Sequence, residues 1–143
     1  AHKNEKEISM NRDEAMRFLE ENHRGVFCVL RKDGAPHLSP VLYALMDGKI
    51  RVSCTRDRVK TKLLRRDPRA SLCVILEKFF EAYLSVEGAV RLIEDPDGRQ
   101  NLALYQAISG GPPDNLDEYL AAMKEDKRLV FEMSVDRIHP VNG

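Results

Sequence analysis

The amino-acid sequence predicts a mainly β protein with helices, built as a six-stranded antiparallel barrel, and three observations point there. Two Asp-Gly turns, Asp33-Gly34 and Asp47-Gly48, join strand-like runs directly, which is the strongest short-range sign of a hairpin. Six strand-like runs have only one short helical pattern set among them, whereas a doubly wound parallel sheet needs a crossover helix after nearly every strand. Residues 49–55 alternate with period two: Ile50, Val52 and Cys54 fall on one face, Arg51, Ser53 and Thr55 on the other.

Residues 11–22 read as an amphipathic helix whose apolar stripe is Ala15, Met16, Phe18 and Leu19, with Asn11 or Ser9 as cap and Gly25 as stop. Strands are expected at 26–31, 36–45 and 49–55, forming a three-stranded meander through the two Asp-Gly turns. Residues 59–67 have helix-forming composition, with Val59, Leu63 and Leu64 inward, and Pro68 ends the pattern. A fourth strand is expected at 70–76, with Phe79 and Phe80 in the connection to a fifth at 83–93, which the turn 95–98 closes. Helices at 99–108 and 116–127 are separated by Ser109-Gly110-Gly111-Pro112-Pro113, a loop that neither can continue through. Asp114 or Asn115 can cap the second, and 129–135 is the last strand.

At 143 residues the chain reads as a single domain, with 1–8 as an N-terminal extension. Apolar residues at 43% and charged residues at 32% give enough aliphatic surface for a core. With neither an apolar run near the roughly 20 residues that cross a bilayer nor a signal-peptide core, the expectation is a cytoplasmic protein with no membrane partner. Cys28, Cys54 and Cys73 form no CxxC pair and sit in apolar runs, so buried thiols are expected rather than disulfides or ligands. His2, His23, His37 and His139 lack helical HxxxH spacing, so no metal site is expected.

Lys plus Arg equals Asp plus Glu at 23 each, yet the charges are segregated. Between positions 56 and 69 stand Arg56, Arg58, Lys60, Lys62, Arg65, Arg66 and Arg69 against only Asp57 and Asp67. Zero net charge and no RNA-binding aromatic motif argue against a nucleic-acid partner. A bound phosphate needs free N–H donors and fixed positive charge at one point, and a helix N-terminus offers both. Ser53, Thr55, Arg56, Arg58 and Lys60 bring hydroxyls and cations to where a strand yields to a helix. A solvated basic face is the competing reading of that composition.

The run IRVSCTRDRVKTKLLRRDPRASLCVI, with DGAPHLSPVLYAL before it, VEGAVRL after it and the tail DEYLAAMKEDKRLVFEMSVDRIHP, resembles the pyridoxamine 5′-phosphate oxidase-like split-barrel superfamily. More narrowly it is similar to small actinobacterial proteins that bind the deazaflavin coenzyme F420. The likeness runs from about residue 11 to 140. It implies an FMN-binding type of split barrel, assembled as a homodimer with cofactor sites at the subunit interface. It further implies that Ser53, Thr55, Arg58 and Lys60 hold the cofactor phosphate, with Thr61 adjacent, and that Ser39, Pro40 and Val41 of the second strand lie along the ring. FMN-using members often carry an arginine just before the matched lysine; Val59 stands there in this chain, which favours F420 over FMN.

The implied activity is an F420-dependent oxidoreductase that passes hydride from the reduced deazaflavin to a small electron-poor organic substrate. The alternatives are an FMN-binding oxidase or reductase and a protein that binds the cofactor without turning it over. No nucleophile is paired with a base, and no catalytic acid is assigned. His37 and Tyr43 are proton-donor candidates only if they face the pocket, and Tyr83, Phe79 and Phe80 could cover the ring from a partner subunit.

Overall fold

The computed structural model describes residues 10–75 and 83–141. The 1–8 extension, Leu76, Phe79 and Phe80 lie outside the described residues. Helix α1, Arg12–Glu21, opens on a capping box: Asn11 Oδ1 accepts from Glu14 N at 2.9 Å while Glu14 Oε1 accepts from Asn11 N at 3.0 Å. It ends at Asn22, three residues before Gly25, which already belongs to β1, Arg24–Leu30. Within its apolar stripe Ala15 and Leu19 are fully buried, and Met16 and Phe18 pack against the core from its edge.

The run at 36–45 is two strands, not one: β2, Pro36–Leu42, and β3, Ala44–Met46. Tyr43 breaks it. Its N–H donates to His23 O at 2.8 Å and its buried hydroxyl donates to Leu19 O at 2.8 Å, so the residue is tied to α1 and the chain leaves one sheet for another. Strand β4 is Lys49–Thr55, reached through the Asp47-Gly48 turn, where both residues have positive φ, the combination a two-residue hairpin needs. The meander expectation therefore fails at its middle: β2 pairs only with β1, and β3 pairs with β4.

Helix α2, Val59–Arg66, follows, then β5, Arg69–Ile75, and the eleven-residue β6, Tyr83–Ile93. Helices α3, Arg99–Ser109, and α4, Leu116–Glu125, precede β7, Arg128–Met133, and a short β8, Arg137–His139. The six expected strands thus become eight, through the break at Tyr43 and the addition of β8. All pairings are antiparallel, in the order β2-β1-β5-β6-β7-β4-β3, with β8 on β6. The sheet curls into a half-barrel because β6 serves both halves. Its first part pairs with β5 and β8, and its last four residues pair with β7.

Alternation fills the inside. Phe27 and Val29 of β1, Ile50, Val52 and Cys54 of β4, Leu72 and Val74 of β5, Leu84 and Val86 of β6, and Leu129, Phe131 and Met133 of β7 form one cluster. Phe27 stacks on Phe131 across it with centroids 5.9 Å apart. Full burial of such side chains contributes roughly 1.5–3 kcal/mol each. In α2 Thr61 and Leu64 are buried and Leu63 packs against the core; Val59, expected inside, is 56% exposed, because it starts the helix on its outer side. Of the three thiols only Cys54 is buried, while Cys28 and Cys73 are half-buried on the outer face; all three are free. Burial raises the pKa of the Cys28 and Cys73 thiols. Among the described residues no helix is long and apolar enough to cross a membrane.

Candidate functional site

The polar face of β4 leads into the turn before α2. No side chain caps α2, no acid lies in its first turn, and Arg58 stands at the N-cap. Its leading amides therefore face outward beside fixed positive charge. Lys60, one residue into the helix, is half-buried, and its Nζ donates to Ser39 Oγ of β2 at 3.1 Å. No carboxylate meets it among the described residues. Its pKa is lowered, chiefly by burial; Cys54 pulls the other way and the Arg58 charge adds to the lowering.

A groove of 360 Å³ opens beside this lysine, within the size range of small-molecule sites. Pro40, Val41 and Leu42 of β2, Ser53 of β4 and Lys60 line one side. The other side is Asn101, Leu104, Tyr105 and Ile108 of α3, Tyr119 and Met123 of α4, and Arg128 of β7. Tyr105 and Tyr119 are tilted against each other at 5.2 Å between centroids, and Tyr119 Oη donates to Asn101 O at 3.0 Å. Burial raises the Tyr119 pKa, so the phenol remains a donor.

Four of the residues singled out from sequence, Pro40, Val41, Ser53 and Lys60, line the groove, and Ser39 joins them through Lys60. Thr55, Arg58 and Thr61 do not line it. Thr61 is fully buried and its hydroxyl donates to Thr55 O at 2.7 Å, so it fixes the turn from within. Arg58 is exposed at the helix start. Ser53 is already engaged: its hydroxyl donates to Asn101 Oδ1 and accepts from Arg128 Nη1 at 3.3 Å. Neither His37 nor Tyr43 lines the groove, and the Tyr43 hydroxyl is committed to α1.

Asn101, Tyr105, Tyr119 and Arg128 were absent from the sequence reading. Asn101 is held by Asp95, a buried acid whose Oδ2 accepts from Asn101 N at 2.8 Å and from Asn101 Nδ2 at 2.7 Å, while Oδ1 accepts from Gln100 N at 2.9 Å. The turn 95–98 is thus the N-terminal fastening of α3. The detectable signal was the acid four residues before a helix, the Asx pattern that caps one.

A sequence model of the family described as pyridoxamine 5′-phosphate oxidase matches residues 12–142. The chain belongs to that family. Among solved structures, a conserved hypothetical protein of Mycobacterium tuberculosis superposes with a TM-score of 0.77 at 25% identity, over 93% of this chain and 85% of that one. An F420 reductase superposes with a TM-score of 0.68 at 23% identity, over 85% and 93%. An FAD-binding protein from Mesorhizobium loti gives a TM-score of 0.61 at 21% identity, over 90% of each. In this pyridoxamine 5′-phosphate oxidase-like half-barrel, the groove lies where β2, β4 and α2 of one wall face α3 and α4 of the other.

Proposed function

We propose that the chain is one subunit of an oxidoreductase that binds a phosphate-bearing flavin-type cofactor in this groove, that the cofactor is F420, and that hydride passes to a small electron-poor organic molecule. The observation that carries this reading is Lys60: a half-buried ammonium without an acid partner among the described residues, steadied by Ser39, at the mouth of an uncapped helix. A cation in that state costs desolvation that an anionic ligand offsets. The residues fit the group. Lys60 and the leading amides of α2 would hold the phosphate, with Arg58 adding field from the N-cap. Pro40 and Val41 offer backbone along one side for a planar ring, and Leu104, Ile108 and Met123 keep water from the other.

When bound, reduced F420 supplies two electrons and a proton as hydride; the protein's part is binding, orientation and exclusion of water. Val59 in the place of a further cation matches a cofactor other than FMN. Membership of a family whose fold is shared by an F420 reductase supports the same choice.

A homodimer belongs to this proposal. Leu38 and Leu42 of β2 are 62% and 55% exposed on the outer face of the sheet, in line with half-buried Val26, Cys28 and Cys73 and with exposed Ile75 and Tyr83. Such an apolar face calls for a cover. Leu42 also lines the groove, so a second copy seated there would close it. A cytoplasmic location fits a reduced cofactor and three free thiols.

The test is fluorescence titration of the full chain with F420 and with FMN, followed by single-turnover oxidation of the reduced cofactor against quinones and enones. Saturable F420 binding that weakens in Lys60→Ala supports the assignment. FMN binding in its place moves the protein to the flavin oxidases, binding without turnover makes it a carrier, and binding of neither removes the reading.

A further inference from the structure

We propose that a second cavity, which adjoins the groove and shares Met123 and Arg128 with it, is a binding site for a small oxyanion, a phosphate or a carboxylate group. It measures 330 Å³ and lies among the turn before α2, the turn before α3 and the end of α4, lined by Arg56, Glu94, Asp95, Lys124, Lys127 and Arg128. Lys60 and Ser39 take no part in it, so Lys60→Ala distinguishes it from the cofactor reading.

The charges in this cavity do not cancel. Glu94 is ion-paired with Arg56 and has Arg65 at 3.8 Å. Both oxygens of Asp95 are filled by the α3 amides and by Asn101. Neither acid is left for Lys124 or Lys127, whose ammonium groups form no ion pair among the described residues.

Lys127 has φ of 54°, in the left-handed region that glycine or asparagine adopts at less cost than a long side chain, so a glycine there relaxes the turn. One further observation points to a ligand, and it lies at Arg128. Its Nε is buried with no hydrogen-bond acceptor, the Asp126 carboxylate standing 3.8 Å away, beyond hydrogen-bond reach. A buried N–H without a partner is costly. An oxyanion between Arg128, Lys124 and Lys127 supplies negative charge to the two lysines and, after a small side-chain shift, the acceptor that Arg128 Nε lacks.

Cations in the last turn of a helix also favour its dipole, but that effect appears in stability and not in anion affinity. The experiment is isothermal titration of the full chain with inorganic phosphate, and separately with succinate, at constant low ionic strength. The expected result is one saturable site per chain. Its affinity drops at least about tenfold in Lys124→Gln/Lys127→Gly, melting temperature is kept or raised, and Lys60→Ala binds undiminished. Tighter phosphate marks a phosphoryl ligand; tighter succinate marks a carboxylate. Should the double variant fold poorly, Lys127→Gly alone, which relaxes the turn, makes the same comparison. Equal affinity in these variants, a loss confined to Lys60→Ala, or no saturable binding of either anion overturns the proposal.

Discussion

At the scale of single residues, Lys60 and Glu132 are two ionisable side chains with opposite histories. Lys60 was visible in the sequence as part of a basic block, but its neighbours of like charge differ from it: Arg56 is paired with Glu94 and Arg58 is exposed, whereas Lys60 is half-buried against Ser39. Lys60→Ala should therefore weaken binding of an anionic cofactor by roughly 1–3 kcal/mol, and Arg58→Ala by less, both read from titration. An anion favours the ammonium form, so binding restores the lowered Lys60 pKa toward its ordinary value. Affinity should fall as pH rises through the free-state pKa. Proton uptake, measured as buffer-dependent binding enthalpy, should grow as that pH is approached and vanish in Lys60→Ala. Glu132 carried no sequence signal. It is 6% exposed in β7 and lies between Arg51 on β4, which donates to Oε2 at 2.7 and 3.0 Å, and Arg91 on β6, which donates to Oε1 at 2.8 Å. Burial alone would raise its pKa, but the two guanidiniums together outweigh that and hold it below its ordinary value of 4.5. Its contribution is present above 4.5 and is lost as pH falls through the lower folded-state value. Glu132→Gln should cost about 1–3 kcal/mol in urea unfolding at neutral pH, since it leaves half-buried Arg51 without its anion, and the difference from wild type should shrink in acid.

Elements were legible where the signal is local. Asn11 as a helix cap, two Asp-Gly turns and the alternation of β4 each resolve within a few residues, and the structure keeps all of them. The break at Tyr43 and the three-residue β8 were not legible, because what defines them is contact with α1 and with β6, far along the chain. The bend in β6 is of the same kind. Gly88 reads in sequence as a blemish in a strand; in the fold it stands beside Ser134 where β6 passes from β5 to β7. A Cβ there would lie 1.8 Å from Ser134 O, a backbone atom that cannot step aside. Glycine in a strand marks such close approaches and barrel corners. Gly88→Ala should therefore destabilise the fold by about 3 kcal/mol or more, seen as an earlier urea midpoint.

For the whole molecule, half the candidate site follows from one continuous stretch of chain and half from topology. Ser53 and Lys60 lie seven residues apart, but the contact of Ser53 with Arg128 spans 75 positions and exists only because β4 pairs with β7. The same topology leaves an apolar patch with Leu38, Leu42, Ile75 and Tyr83 on the outer face of the sheet and β2 at the end of the sheet order. Pro36 and Pro40 lack N–H groups, so β2 is poorly suited to extend the sheet with a strand from another copy. Covering the face, rather than adding to the edge, is the remaining way to bury Leu38 and Leu42. Leu38 lies outside the groove lining, which makes it the cleaner probe of the two. Light scattering should find the wild-type chain at twice its 16.3 kDa and Leu38→Glu at the single-chain mass, because each copy would bury an unpaired carboxylate in the covered face. If the groove is completed by the partner, that variant should also lose cofactor affinity by about tenfold or more while its monomer stays folded by circular dichroism. A wild-type monomer, or a Leu38→Glu monomer that binds cofactor as tightly as wild type, would mean that each chain carries a whole site of its own.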